Sequence, residues 1–151
     1  MSTQYPVLIA DIGGTFTRLA VVEHQDQPPR LIAKFKTADY PNPQTAFAAV
    51  LAQTQTAIPS TTLLAVAAPV AHARVHLTNA AWWIDPQEIG EALGFAHVRL
   101  VNDFPPIAAV LPQLDADNPN DVCALGPTCH GDEGPKLVLG PGTGLGAAVL
   151  R

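Results

Sequence analysis

The sequence predicts an α/β domain with a mixed sheet, followed by the start of a second domain. Three observations carry that reading. Near the N-terminus, three apolar runs of strand length follow one another across short turns. From Asn42 onward, apolar residues at helical spacing alternate with runs typical of buried strands. Between Pro112 and Pro135 the composition turns to Asp, Asn, Pro and Gly, which marks a boundary.

Val7 to Ala10 reads as a buried strand, and Asp11-Ile12-Gly13-Gly14-Thr15 as a turn whose two glycines are free to take positive φ. Phe16 to Val22 is a second strand, Gln25 to Pro29 a turn, and Leu31 to Thr37 a third strand. Such short connections imply an antiparallel meander. Asn42 then caps a helix that carries Pro43 in its first turn and Ala46, Phe47, Val50, Leu51 and Thr54 on one face. Leu63 to Ala68 is a buried strand, and Arg74 to Leu77 a short one. Asp85, with Glu88 three residues on, opens a second helix that Gly94 closes. Val98 to Val101 is the next strand, with Asn102-Asp103 at its end, and Phe104 to Leu111 is helical because its first turn tolerates Pro105 and Pro106. Lys136 to Leu139 resumes as a strand and leads into the glycines from Gly140 to Gly146. The division expected is 1–112 as a first, smaller domain and 113–151 as a linker with the first strands of another.

Length and charge narrow the function. With 151 residues, 48% of them apolar and 14% charged, the chain has enough material for about one packed core. A net charge of −5 without a basic cluster argues against a nucleic-acid surface. Asp, Pro and Gly interrupt each apolar run before the ~18–20 residues that span a bilayer, so no membrane partner is expected. No basic segment followed by an apolar one opens the chain, and two cysteines are too few for a disulfide scaffold. A cytoplasmic location is the expectation.

Three constellations could carry chemistry. At Asp11 to Thr15, a glycine turn lets backbone N–H groups approach phosphate oxygens, and Thr15 adds a hydroxyl. Asp11 would repel a bare polyphosphate unless Mg²⁺ stood between them, directly or through water. The plainer reading is a tight hairpin whose Asp satisfies its own backbone. Gly140 to Gly146 places four glycines at alternate positions and exposes backbone donors, although the Gly-Lys-Ser/Thr ending of a P-loop is missing. Asn102-Asp103 stands where a strand gives way to a helix, a favoured ligand position in α/β proteins. There Asp103 could accept a proton from an attacking hydroxyl and Asn102 could fix hydroxyls, or Asp103 could simply cap the helix.

Other residues offer less. Cys123, Cys129 and His130 match no common zinc spacing and lack a fourth ligand. His72 and His76 read as solvated, and Trp82 and Trp83 as one core residue beside a partly exposed one, with sugar stacking as the functional alternative.

A series of segments runs along the whole chain: Ala10 to Thr15, Arg18-Leu19-Ala20, Tyr40-Pro41, Ala65 to Val70, Leu77-Thr78-Asn79 with Trp82, Leu93-Gly94-Phe95, Val101 to Phe104, and Gly140 to Gly146. Their order and spacing resemble the bacterial glucokinase family, within the hexokinase-like and actin-like ATPase superfamily. The resemblance implies a ribonuclease-H-like fold and transfer of the γ-phosphoryl of ATP to the 6-hydroxyl of glucose. It implies that Ala10, Asp11, Ile12, Gly13, Gly14 and Thr15 form a first phosphate loop and Gly140 to Gly144 a second, with Gly142, Thr143 and Gly144 on the nucleotide. It also implies that Asn102 and Asp103 contact glucose, Asp103 being the catalytic base. ATP and Mg²⁺ are then the cofactors, Mg²⁺ held by Asp11 through water, and a homodimer is compatible with the pattern.

Two features depart from the family. Phe16 stands where Asn usually follows Gly-Gly-Thr, and family members are much longer, so the remaining sugar and adenosine contacts would lie beyond Arg151. The chain alone is therefore expected to be poorly active and prone to associate. Rival readings are a kinase for another hexose and a non-catalytic sugar- or nucleotide-binding module. A nicotinamide-binding domain, based on Gly142, Gly144 and Ala147, is disfavoured because the first glycine turn joins two antiparallel strands with no helix after it.

Overall fold

Apolar alternation on both sides of the first glycine pair folds the N-terminus into the expected meander. Strand β1 (Val7–Ile12) pairs antiparallel with β2 (Phe16–Val22), which pairs antiparallel with β3 (Arg30–Lys36). The computed structural model describes residues 4–54, 58–126, 134–141 and 145–151, which divide into compact units at 1–103 and 104–151. In the first unit the chain returns through α1 (Pro43–Gln53) to β4 (Thr61–Val66), which lies parallel to β1. A small ribbon of β5 (Val75–His76) and β6 (Trp83–Ile84) follows. Then α2 (Pro86–Leu93) leads to β7 (His97–Asn102), parallel to β4. The resulting sheet has the order β3-β2-β1-β4-β7 and is mixed, as expected.

Both helix starts follow from their caps. Asn42 accepts a hydrogen bond from the Thr45 amide at 2.9 Å, and Asp85 accepts from Gln87 and Glu88 at 2.9 and 3.2 Å. Gly94 ends α2 at φ 76°, in the left-handed region where a Cβ is costly.

Several boundaries differ from the sequence reading; β3, for one, runs from Arg30 to Lys36 and leaves out Thr37. Asp11 and Ile12 belong to β1 rather than to the turn, because the ladder continues through Asp11 opposite Arg18 and Ala65 and Ile12 opposite Thr17 and Val66. Strand β4 begins at Thr61, two residues early, since it is flanked by ladders on both sides. It stops at Val66, where the Ala68 amide turns back to the Val66 carbonyl at 2.8 Å. The two-residue β6 was missed because so short a bridge has no readable period.

The core lies on one face of the sheet. Leu8, Ala10 and Ile12 of β1, Leu19 and Val21 of β2, and Leu64 and Val66 of β4 pack with Phe47, Val50 and Leu51 of α1 and Ile89 of α2. Each large side chain so buried contributes about 1.5–3 kcal/mol. Leu77, Trp82, Ile84 and Phe95 extend the same cluster, and the Trp82 indole donates to the Tyr40 carbonyl at 2.8 Å.

The second unit holds α3 (Phe104–Val110), a 3-10 turn at Leu111–Gln113, and the hairpin of β8 (Lys136–Pro141) with β9 (Leu145–Leu150). Gly140 and Gly146 are therefore strand residues paired with each other, a correction to reading them as part of a loop. Their lack of side chains serves packing. A Cβ on Gly140 would stand 2.5 Å from Phe104 Cζ, and one on Gly146 would overlap the same ring. The remaining three loop residues, Gly142, Thr143 and Gly144, lie outside the described residues.

Leu137, Leu139, Leu145 and Val149 alternate on the hairpin and are each more than half exposed. Such a strip on an open two-stranded sheet invites association. The 151-residue chain is expected to form concentration-dependent oligomers in sedimentation at tens of micromolar. Replacing Leu137 and Leu139 by Lys should reduce them; a sharp monomer at all concentrations would contradict this. Among the described residues, no helix is long and apolar enough to cross a membrane.

Candidate active site

Parallel pairing brings the ends of three strands to one edge of the sheet in the first unit. Ile12 of β1, Val66 of β4 and Asn102 of β7 stand in register. With strands ~4.8 Å apart, the segments that follow Ile12 and Asn102 start about 10 Å apart. The glycine turn and the Asn102-Asp103 pair thus share the edge where α/β sheets favour ligands. The Ala67 amide donates to Ile12 O at 3.1 Å and the Asp103 amide to Val66 O at 3.0 Å, which ties the strand ends together.

The turn itself is Gly13-Gly14-Thr15, closed by the Gly13 amide donating to Phe16 O at 3.0 Å. Neither glycine takes a positive φ, which corrects the expectation drawn from the sequence. What both positions demand is space. A Cβ on Gly13 would lie 3.0 Å from Phe16 O, and one on Gly14 would lie 2.7 Å from the Cβ of Asn79. The amides of Gly14 and Thr15 donate to no described residue, so two backbone donors remain at a half-exposed turn. That is the arrangement an anion uses.

Of the other residues assigned to this loop, Ala10 and Ile12 point into the core, 3% and 0% exposed, so they shape the site through backbone alone. Asp11 lies between them on the opposite, solvent-facing side of β1. There it accepts a 2.7 Å hydrogen bond from Arg18, its cross-strand partner. Both side chains are about half exposed, which makes this a weak tie of ~0–1 kcal/mol and one that a ligand can displace. The described residues contain no cluster of three or more His, Cys, Asp or Glu able to enclose a metal. A single carboxylate fits Mg²⁺ all the same, because that ion keeps most of its water and takes further ligands from phosphates.

At the other end of the edge, Asn102 and Asp103 are half-buried. Asn102 Nδ2 donates to Asp103 Oδ1 at 2.9 Å and to the Ala68 carbonyl at 3.1 Å. The amide thereby fixes one carboxylate oxygen of Asp103. Within the first unit, the other oxygen receives no hydrogen bond from a described residue.

The remaining candidates fall away from this edge. Trp82 is 2% exposed and Trp83 47%, as the sequence implied. The Trp82 indole is buried in the core, whereas the Trp83 ring lies under the Arg74 guanidinium at 4.4 Å and beside His76. His72, His76 and Cys123 are exposed, while Cys129 and His130 lie outside the described residues. Arg18, Asn79 and Thr37 received no role from the sequence. The pairing of Arg18 with Asp11 follows from hairpin register once the turn length is known. Asn79 and Thr37 approach from distant segments and leave no local signal.

The Glucokinase family model matches residues 8–151. A curated glucokinase from a Caulobacter species is 38% identical over 145 residues, covering 95% of this chain and 43% of the relative. One from Marinobacter nauticus is 36% identical over 151 residues, covering 99% and 46%. The crystal structure of a glucokinase from an Antarctic psychrotroph superposes with a TM-score of 0.80 at 33% identity, over 97% of this chain and 47% of that one. The chain spans somewhat less than half the length of these relatives.

Proposed function

Because the chain belongs to the glucokinase family, we propose that it is the N-terminal half of an enzyme that phosphorylates glucose with ATP, giving glucose 6-phosphate. One observation carries this reading. The register of β1, β4 and β7 starts, about 10 Å apart on one sheet edge, the two segments that carry an oriented carboxylate and a turn whose two amides have no partner among the described residues. The family's fold, on this reading, is ribonuclease-H-like, with 1–112 as the smaller domain and 113–151 as the start of the larger, so that the second compact unit, which begins at Phe104, would straddle the division.

Each residue then has a task. The Gly14 and Thr15 amides and the Thr15 hydroxyl hold phosphate oxygens, and Gly142, Thr143 and Gly144 supply the second phosphate loop. Asp103 takes the proton of the 6-hydroxyl as that oxygen bonds to the γ-phosphorus and the bridge to the β-phosphate breaks. Asn102 holds Asp103 in place and contacts the sugar. Asp11 would hold Mg²⁺ through water, and the ion would supply charge neutralisation for the phosphates. Positioning and charge compensation account for most of the catalysis in such transfers, so few side chains are needed. A cytoplasmic setting, where ATP and free glucose meet, goes with the activity.

The test is a coupled assay on the protein extended to the length of its relatives, with glucose, fructose, mannose and glucosamine as acceptors. Glucose should be preferred, and the 151-residue chain alone should turn over poorly. A preference for another hexose would change the acceptor. Glucose-dependent thermal stabilisation with no phosphorylation of any sugar would make the protein a binding module. Ordinary glucokinase rates from the isolated chain would refute the view that its site is incomplete.

A further inference from the structure

We propose that Thr37 is the positioning residue of the Gly13–Thr15 turn, holding back the turn's carbonyls so that its amides are left for phosphate. The inference rests on the reading of that turn as a phosphate site. Thr37 begins a one-turn 3-10 segment (Thr37–Asp39) just after β3 and is fully buried. Its hydroxyl donates to Gly13 O at 2.7 Å and its amide to Thr15 O at 3.0 Å. Two of the three carbonyls in the turn are thereby tied to a single residue just beyond the end of β3.

The hydroxyl hydrogens are determined as well. Thr37 Oγ1 lies 2.9 Å from Thr17 Oγ1, which is also 0% exposed. A hydroxyl has one hydrogen, and that of Thr37 is used on Gly13 O, so Thr17 must be the donor in this pair. Both threonines are 0% exposed, and loss of the Thr37 hydroxyl removes the side-chain donor from Gly13 O.

An anion-binding turn needs this arrangement for an electrostatic reason. A carbonyl oxygen turned toward a phosphate repels it, while an amide attracts it. With Gly13 O and Thr15 O bonded to Thr37, and the Gly13 amide bonded to Phe16 O, the Gly14 and Thr15 amides are the donors left over. The chain end of β3, an edge strand, thus sets the shape of a site built on β1 and β2.

The test uses the protein extended to the length of its relatives and labelled with ¹⁵N, in the wild-type, Thr37→Val and Thr37→Ser forms, titrated with Mg·ATP. The Trp82 indole signal reports whether the core is intact; if Thr37→Val loses it, Thr37→Ala takes its place. Thr37→Val should move the Gly14 and Thr15 amide resonances before any nucleotide is added and weaken Mg·ATP by about 10-fold or more. Thr37→Ser should restore both to within about 3-fold of wild type, because it keeps both donors. Unmoved amides and unchanged affinity in Thr37→Val, with the Trp82 signal retained, would overturn the proposal. If wild-type Gly14 and Thr15 do not respond to Mg·ATP at all, the phosphate reading of the turn fails. In that case the nucleotide-free spectra separately show whether Thr37 shapes the turn.

Discussion

Asp103→Asn in the protein extended to its relatives' length should lower kcat by about 10²–10⁴-fold while the KM for glucose changes by less than about 5-fold. The expectation comes from what the substitution preserves. Asn has nearly the shape of Asp, and its side-chain carbonyl can still accept the 2.9 Å hydrogen bond from Asn102 Nδ2. What it lacks is basicity. The 6-hydroxyl would then attack with no group to receive its proton, a deficit felt in the transition state and hardly in the ground state. Asn102→Ala should act differently, releasing the carboxylate from its anchor and raising the glucose KM as well as lowering kcat. Steady-state kinetics with varied glucose separates the two. An Asp103→Asn enzyme within 10-fold of wild-type kcat would remove the base from the mechanism and return Asp103 to a purely structural role.

Trp82→Ala should be the most damaging of the substitutions in the core. The side chain is 2% exposed, sits in the shared cluster beside Phe35, and gives its indole hydrogen to Tyr40 O at 2.8 Å. Truncating a buried Trp costs about 3–5 kcal/mol, a large share of the 5–15 kcal/mol that stabilises an ordinary domain. For a unit of this size the melting temperature should fall by ~15 °C or more, if the variant folds at all. Trp82→Phe keeps much of the buried surface and loses the hydrogen bond, so it should fall between Trp82→Ala and wild type. Trp83→Ala, at a half-exposed position, should cost no more than ~1 kcal/mol. Thermal melts followed by circular dichroism compare them directly. A loss below about 3 °C for Trp82→Ala would mean that the indole does not hold this core together.

Much of the first unit was legible because its signals are local. The meander follows from alternation interrupted by Gly-Gly and by Pro-rich turns. The caps at Asn42 and Asp85, and the stop at Gly94, are single residues with one physical task each. What sequence reasoning missed is long-range. Gly13 and Gly14 announce a turn, but their small size answers to Phe16 O and to Asn79, not to a positive φ. Gly140 and Gly146 looked like loop glycines, yet they make room for the Phe104 ring. Thr37 looks like the last residue of a strand, and only the folded chain brings it to Gly13 O. The same limit applies to the candidate site. Asp11 to Thr15 and Asn102-Asp103 were visible as separate motifs, whereas their common edge depends on the parallel register through β4, which local spacing does not encode.

The measurement that bears most directly on this mechanism is a crystal structure of the extended protein with glucose and a non-hydrolysable ATP analogue. The γ-phosphate should lie within hydrogen-bond distance of the Gly14 and Thr15 amides, with the 6-hydroxyl of glucose on the Asp103 carboxylate. A nucleotide bound away from that turn, or a sugar that leaves Asp103 bonded to Asn102 alone, would contradict it.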